Sequence, residues 1–225
     1  MSLPLANAFT EYLADRGPDM LSGTGEHLLL VVLAMVIACA VALPLGVFLA
    51  RSSARRLVSV VMGVASVIQP VPSLALVALV GALFVHLDLP TIGMVPGLVA
   101  LVAYALLPVL RNTYTGIRQV DPTIIEVATG MGMTRRQVLW HIQLPLALPF
   151  IMTGIRIAAV WTIGVATLVS LIGSGGLGKL IFRGLRTTKP GLILSGAVPA
   201  VILALVIDWL LGRLEEWLTP AGLRD

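Results

Sequence analysis

The chain has 225 residues, of which 58% are hydrophobic and only 12% are charged, against about 25% charged in an ordinary soluble domain. With a mean hydropathy of +1.00, this composition excludes a disordered chain and a nucleic-acid-binding domain and argues against a water-soluble enzyme. The formal net charge of +4 fits the loop arginines that orient membrane proteins, and the 5% aromatic content is poor for base stacking.

Residues 1–27 set Glu11, Asp15, Asp19 and Glu26 against Arg16. A secretory signal needs a basic stretch before its apolar core, so this segment is expected to be retained as a short interfacial or loose helix. The first apolar run, Leu28 to Ala50, reaches the length of about 20 residues that a spanning helix needs, with Pro44 placed to kink its end. Cys39 lies inside it; as the one cysteine of the chain it forms no internal disulfide and reads as a small buried hydrophobe. Arg51, Arg55 and Arg56 follow. The run from Leu57 to Leu87 is interrupted by Gln69-Pro70-Val71-Pro72-Ser73. It is too long for one straight span and too short for two, so one span broken or kinked at the prolines is expected, its freed backbone groups finding partners inside protein.

A third run, Ile92 to Leu110, closes on Arg111-Asn112-Thr113-Tyr114, and the most polar stretch of the chain continues to His141. Apolar sequence resumes from Leu144 to Ile172 and stops at Gly173-Ser174-Gly175-Gly176. Lys179, Arg183, Arg186 and Lys189 precede the last run, Gly191 to Leu211. Spans are thus expected over residues 28–50, 57–87, 92–110, 146–172 and 191–211; they must be helices, because backbone amides in hydrocarbon need internal partners. With the N-terminus outside, Arg51, Arg55, Arg56, Arg111, Arg118, Arg135, Arg136, Arg213 and Arg224 fall inside, against Arg16, Lys179, Arg183, Arg186 and Lys189 outside. The inner excess predicts that orientation, and the cluster at 179–189 departs from the rule.

Residues 121–145 read DPTIIEVATGMGMTRRQVLWHIQLP. Asp121 is an N-cap and Pro122 suits the first helical position, so a short helix to about Thr129 is expected. Gly130 and Gly132 then break it, supplying positive φ or close backbone approach. Thr134-Arg135-Arg136-Gln137 is a capping box that starts a second short helix, with Val138, Leu139 and Ile142 on one face and Pro145 just past its end. From the residues alone, an amphipathic linker on the inner leaflet and a helix that docks into a groove of a cytoplasmic partner both stand. A DNA-reading helix-turn-helix is set aside, since the segment is tethered between spans.

Glu126-Val127-Ala128, Gly132 and Ile142-Gln143-Leu144-Pro145 resemble the EAA loop of ABC importer permeases. That pattern has Glu-Ala-Ala, a glycine six residues after the glutamate, an isoleucine ten further on and Leu-Pro close behind; Val127 for the middle alanine is the one departure. The resemblance runs from about residue 25 to 215. It implies an all-α membrane protein of five transmembrane helices with a cytoplasmic coupling-helix loop, the type I importer permease fold. The permease domain would cover 28–215, between an extracytoplasmic or interfacial segment 1–27 and a tail 216–225. Gln69 to Leu76, Tyr104 to Pro108, Arg111 to Ile117 and Ile172 to Gly178 are similar to the osmoprotectant permeases, which carry glycine betaine, carnitine, choline or proline betaine. Methionine permeases are similar around the glutamate and the glycine-rich turn but lack the Arg-Asn-Thr-Tyr-Thr-Gly run.

The resemblance also implies partners. They are a second permease (another copy or a sister chain), two cytoplasmic ATPase subunits that bind ATP and Mg, and an extracytoplasmic binding protein, in the inner membrane of a prokaryote. This chain would bind no cofactor and hold no catalytic residue. Its coupling surface would comprise Glu126, Ala128, Gly130, Gly132, Arg135, Arg136, Ile142, Leu144 and Pro145. Glu126 would bond into the ATPase or brace Arg135 or Arg136, and Gly132 would fit where a side chain clashes. The same architecture importing methionine or another small amino acid is a second reading. An ion-driven secondary transporter or channel is a third, though the inverted repeat common in that class is not visible.

Gly173-Ser174-Gly175-Gly176-Leu177-Gly178 fits G-x-G-x-x-G but follows an apolar span, and the next acid is Asp208; it reads as the tight outer turn of the fourth span rather than a nucleotide site. There is no P-loop, and His27, His86 and His141 lack metal-ligand spacing, so no metal is expected. Arg156 falls two turns into the fourth span with Asp208 at comparable depth in the last, and an intramembrane ion pair between them is expected. A quaternary ammonium is held by aromatic faces, and irregular backbone is tolerated beside a cavity. The substrate pathway is therefore sought at Gln69, Pro70, Pro72, Ser73, Tyr104, Asn112, Tyr114 and Trp161.

Overall fold

The computed structural model describes residues 5–219, with side chains from residue 17 onward. Residues 1–4 and 220–225, and the side chains of Glu11, Asp15 and Arg16, lie outside the described residues. The chain forms helices α1 (Leu5–Arg51), α2 (Arg55–Ile68), α3 (Ser73–His86), α4 (Met94–Arg118), α5 (Pro122–Gly130), α6 (Arg135–Val138), α7 (Leu144–Val169), α8 (Gly178–Thr187) and α9 (Pro190–Leu218). Among the described residues, four continuous stretches are long and apolar enough to cross a bilayer: Gly17–Arg51, Met94–Arg118, Arg135–Ile172 and Pro190–Leu218; the α2–α3 pair makes a fifth if counted as one span.

Three expectations about boundaries change. The segment before residue 28 is not separate from the first span, because α1 is one helix from Leu5 to Arg51 with Pro18 and Pro44 inside it. Tertiary contact holds the turns that composition reads as loose: Met20 is buried with Leu180 and Leu192. The break in the second run is sharper than a kink, with α2 and α3 bent by 107°. Pro72 caps α3 in extended conformation, φ −54° and ψ 135°, and neither proline can donate to a helical ladder. The Val71 carbonyl freed there accepts the Tyr104 hydroxyl from α4. Finally, Pro145 does not end a helix. A π-helical turn, Leu139–Gln143, joins α6 to α7, and the Leu144 amide donates to the Leu139 carbonyl. The wider turn gives the proline ring the room that an α-helix denies it.

α4 is the central helix, flanked by α1 and α7. Ala34, Ala38 and Ala42 of α1, Ala100 and Ala105 of α4, and Ala158 and Ala166 of α7 are wholly buried. Small residues let backbones close to contact where no hydrophobic drive separates helix from lipid. Approach is tightest at Gly154, where a Cβ would stand 2.8 Å from the Pro108 carbonyl oxygen and 2.6 Å from Asn112 Cβ. α1, α4 and α9 run toward the end of the bundle that carries α5 and α6, and α7 runs from it. At the far end, the Gly93 amide donates to the Ile172 carbonyl at 2.7 Å, and the Ser174 hydroxyl to the Gly93 carbonyl at 2.8 Å.

Candidate functional site

The segment between α4 and α7 is locally determined. Asp121 Oδ1 accepts from the Thr123 amide at 2.8 Å. At the other end of α5 the Met133 amide donates to the Ala128 carbonyl at 3.1 Å and the Gly132 amide to the Thr129 carbonyl at 2.9 Å. This is a Schellman termination, which needs a left-handed residue at its first position past the cap; Gly132 supplies it with φ +89°. Gly130 has no such role. It is the last residue of α5, outside the positive-φ glycines, with open space where a Cβ would stand. α6 opens with the capping box, Gln137 Oε1 accepting from the Thr134 amide at 2.8 Å and Thr134 Oγ1 from the Gln137 amide at 3.3 Å.

The end of α1 braces this elbow. Arg51 donates to the Arg135 carbonyl at 3.0 Å and to Gln143 Oε1 at 3.3 Å. Ala128 (2% exposed) and Val138 (4%) turn inward, and Ile142, Leu144 and Pro145 are half-buried. Glu126, Arg135 and Arg136 point outward. No ion pair joins Glu126 to either arginine among the described residues, so the acid does not brace them within the chain. Nor does Gly132 avoid a clash within the chain: no atom lies within 4 Å of where its Cβ would stand. Sequence reasoning passed over the apolar part of this face. Val127, Met131 and Trp140 are 58%, 75% and 60% exposed; the i, i+4 spacing of the first two was the available signal. Thr134, Arg136, Gln137, Trp140 and His141 line an open depression of about 420 Å³.

A second polar constellation joins α7 to α9. Arg156 Nε and Nη2 donate to the two Asp208 oxygens at 3.0 and 3.2 Å, and Nη1 donates to Glu215 Oε2 at 3.0 Å. Glu215 was not foreseen, although it stands seven residues, or two turns, after Asp208 on the same helix. Arg156 and Asp208 line a groove of about 400 Å³ with Trp161 on its wall.

The proposed pathway residues do not meet at one place. Tyr104, 7% exposed, stands at the 69–72 break through its bond to Val71. Trp161 belongs to the α7–α9 groove. Asn112 donates to the Pro108 carbonyl of its own helix at 2.9 Å. Tyr114 lines a depression with Ser52, Arg55 and Arg118 at the end that carries α5 and α6.

The glycine-rich turn is latched to α1. Glu26 Oε2 accepts from the Gly176 amide at 2.8 Å and from Lys179 Nζ at 2.9 Å. Gly175 and Gly176 adopt φ +95° and +84°. Wholly buried His27 forms a 3.1 Å hydrogen bond between Nε2 and the Ile163 carbonyl. Among the described residues no group of His, Cys, Asp or Glu is arranged to hold a metal ion.

Comparison with known proteins agrees with this geometry. The carnitine transport permease OpuCB of Listeria monocytogenes is 43% identical over 219 residues, covering 97% of each chain. The choline transport system permease OpuBB of Bacillus subtilis is 44% identical over 214 residues, 95% of each chain. The osmoprotectant import permease OsmW of Salmonella typhimurium is 39% identical over 213 residues, 95% of this chain and 98% of the relative. The MetNI methionine ABC transporter, solved in inward-facing conformations, superposes with a TM-score of 0.78 at 21% identity over 98% of this chain and 100% of the other. Residues 42–221 match the model of the binding-protein-dependent transport system inner membrane component, and the chain belongs to that family of ABC importer permeases.

Proposed function

We propose that this permease forms the translocation pathway of an importer for small quaternary ammonium osmoprotectants, of the class of glycine betaine, carnitine and choline. Segment 121–145 is its coupling surface for a cytoplasmic ATPase that binds ATP and Mg. Three things support the substrate class: the Gln69–Leu76 and Arg111–Ile117 runs, relatives named for carnitine, choline and osmoprotectants at 39–44% identity, and their cover of nearly the whole chain. The observation that carries the coupling assignment is the exposed elbow, fixed by two caps and by Arg51, which holds Val127, Met131 and Trp140 out of the bundle. A loose interfacial linker has no need of such fixing. Two ATPase subunits, a second permease and a separate binding protein complete the machine, with the N-terminus outside.

The test is ATP hydrolysis by the reconstituted complex with its binding protein, comparing glycine betaine, carnitine, choline and methionine. Stimulation by the quaternary ammonium compounds supports the reading. Stimulation by methionine alone moves the substrate class, and ATP-independent uptake removes the coupling role.

A further inference from the structure

The α7–α9 groove carries an unbalanced charge. Arg156 donates to both oxygens of Asp208 at 3.0 and 3.2 Å and to Glu215 at 3.0 Å, so the triad holds one cation and two carboxylates. All three stand on the long apolar helices, where an ionisable group needs a partner in protein or water. No other ion pair engages Asp208 or Glu215 among the described residues. α9 adds to the imbalance: no basic residue stands in its last turn, where the helix dipole is negative. A surplus negative charge is thus left beside an open groove of about 400 Å³.

The rest of the groove selects the kind of cation that would balance it. Ile157, Val160 and Leu205 line it together with Trp161, and Ile157, Leu205 and Trp161 are exposed. The Thr153 hydroxyl on the same wall already donates to the Pro149 carbonyl at 2.8 Å. A hard metal ion asks for about six or more oxygen ligands or retained water, and no group of His, Cys, Asp or Glu among the described residues is arranged to hold one. A cation whose charge is covered by alkyl groups asks for the opposite: apolar contact, an aromatic face and an acid at longer range. Trp161 stands five residues beyond Arg156, about 7.5 Å along the axis. A cation seated between these two levels lies about 4 Å along the axis from each, inside the reach of about 6 Å over which an indole ring attracts one.

We propose that the α7–α9 groove is a binding site for an alkylated ammonium group, recognised by Trp161 and by the surplus charge of Asp208 and Glu215. Arg156 holds the two carboxylates beside the groove and cancels one of them, which leaves a single net charge for a singly charged ligand. Two sources share this chemistry: a transported quaternary ammonium compound, and the choline headgroup of a phospholipid. The first source rests on the importer reading above; the site itself does not.

The probe is tetramethylammonium chloride, titrated against the full-length permease in nanodiscs of phosphatidylglycerol with sodium chloride as control, and read by the thermal midpoint. A saturable rise with tetramethylammonium and not with sodium is expected. Trp161→Leu should raise the half-saturating concentration about 2–5-fold, while Trp161→Phe, which keeps a ring, should bind nearly as wild type. Glu215→Gln removes the surplus charge but keeps the Arg156–Asp208 pair, and should raise it roughly 10-fold. In phosphatidylglycerol vesicles, slower choline uptake by Trp161→Leu in the complete complex assigns the site to the transported compound. Unchanged uptake, with displacement of the probe by added phosphatidylcholine, assigns it to the lipid. Equal responses to sodium and tetramethylammonium overturn the site, as does unaltered half-saturation in both Trp161→Leu and Glu215→Gln. Unchanged uptake without displacement also overturns it, since only the probe would then bind. Probe binding needs no ATPase, so a permease that binds tetramethylammonium in a complex indifferent to every osmoprotectant refutes the importer reading and leaves the site standing.

Discussion

Replacing Arg156 by methionine tests the α7–α9 constellation most directly. The guanidinium makes three charge-assisted hydrogen bonds, two to Asp208 and one to Glu215. Its removal leaves two carboxylates with no cation between them. Breaking a fully buried pair in this way costs about 3–5 kcal/mol, and an exposed one about 0–1 kcal/mol. The side chains here are 35%, 43% and 20% exposed for Arg156, Asp208 and Glu215, which places the expected loss at roughly 2–3 kcal/mol. For a chain of this size that corresponds to a fall of about 5–10 °C in the thermal midpoint of the detergent-solubilised permease. The triple variant Arg156→Met/Asp208→Asn/Glu215→Gln removes all the charges together, and should recover most of the loss, because neutral replacements strand nothing. The reasoning is refuted if Arg156→Met melts within a degree or two of wild type, or if the triple variant is less stable than the single one.

Other substitutions test the proposed coupling segment and the helix packing beside it. Gly132→Arg forces a side chain into φ +89° at about 1–2 kcal/mol and fills space that the chain itself leaves open. Membrane insertion should be normal while co-purification with the ATPase and transport are lost; normal transport would remove the docking assignment. Gly130→Ala should be neutral or stabilising by up to about 1 kcal/mol, since it ends a helix at ordinary angles, and a loss of stability in thermal melts would contradict the Schellman assignment. Arg51→Ala removes two hydrogen bonds worth about 1 kcal/mol each, so limited trypsin digestion at Arg135 and Arg136 should quicken roughly thirtyfold; an unchanged cleavage rate would show that the brace is idle. Gly154→Ala drives a Cβ to 2.8 Å from the Pro108 carbonyl, which should destabilise the α4–α7 crossing by about 1–3 kcal/mol, and an unshifted melting temperature would contradict that packing.

What the sequence reveals depends on the range of the forces involved. The caps at Asp121 and Thr134 and the elbow at Gly132 are set by neighbours within six residues, so their spacing announces them. Arg156 and Asp208 are legible for another reason: an ion within an apolar run demands a partner, and few are on offer. Glu215 escaped because it lies past the last apolar run, Gly191 to Leu211, where acids are unremarkable. The 107° bend was half legible. Two prolines mark a break, but its angle depends on Tyr104 of α4 reaching the Val71 carbonyl, a contact 33 residues away. The continuity of α1 through Pro18 depends on Met20 packing against α8 and α9, which no local pattern encodes. The aromatic residues were grouped by chemistry alone, and chemistry does not place Tyr104 and Trp161 on the same wall.

The π-helical turn at Leu139–Gln143 sets the phase of everything after it. One additional residue in a turn rotates the following helix by about 100° about its axis. The face of α7 that presents Arg156 to α9 is therefore clocked, relative to the elbow at Gly132, by the five residues of that turn. Because Arg135–Ile172 is one unbroken rod of 38 residues, about 57 Å long, winding or unwinding that turn would rotate the ion pair and the distant glycine-rich turn together.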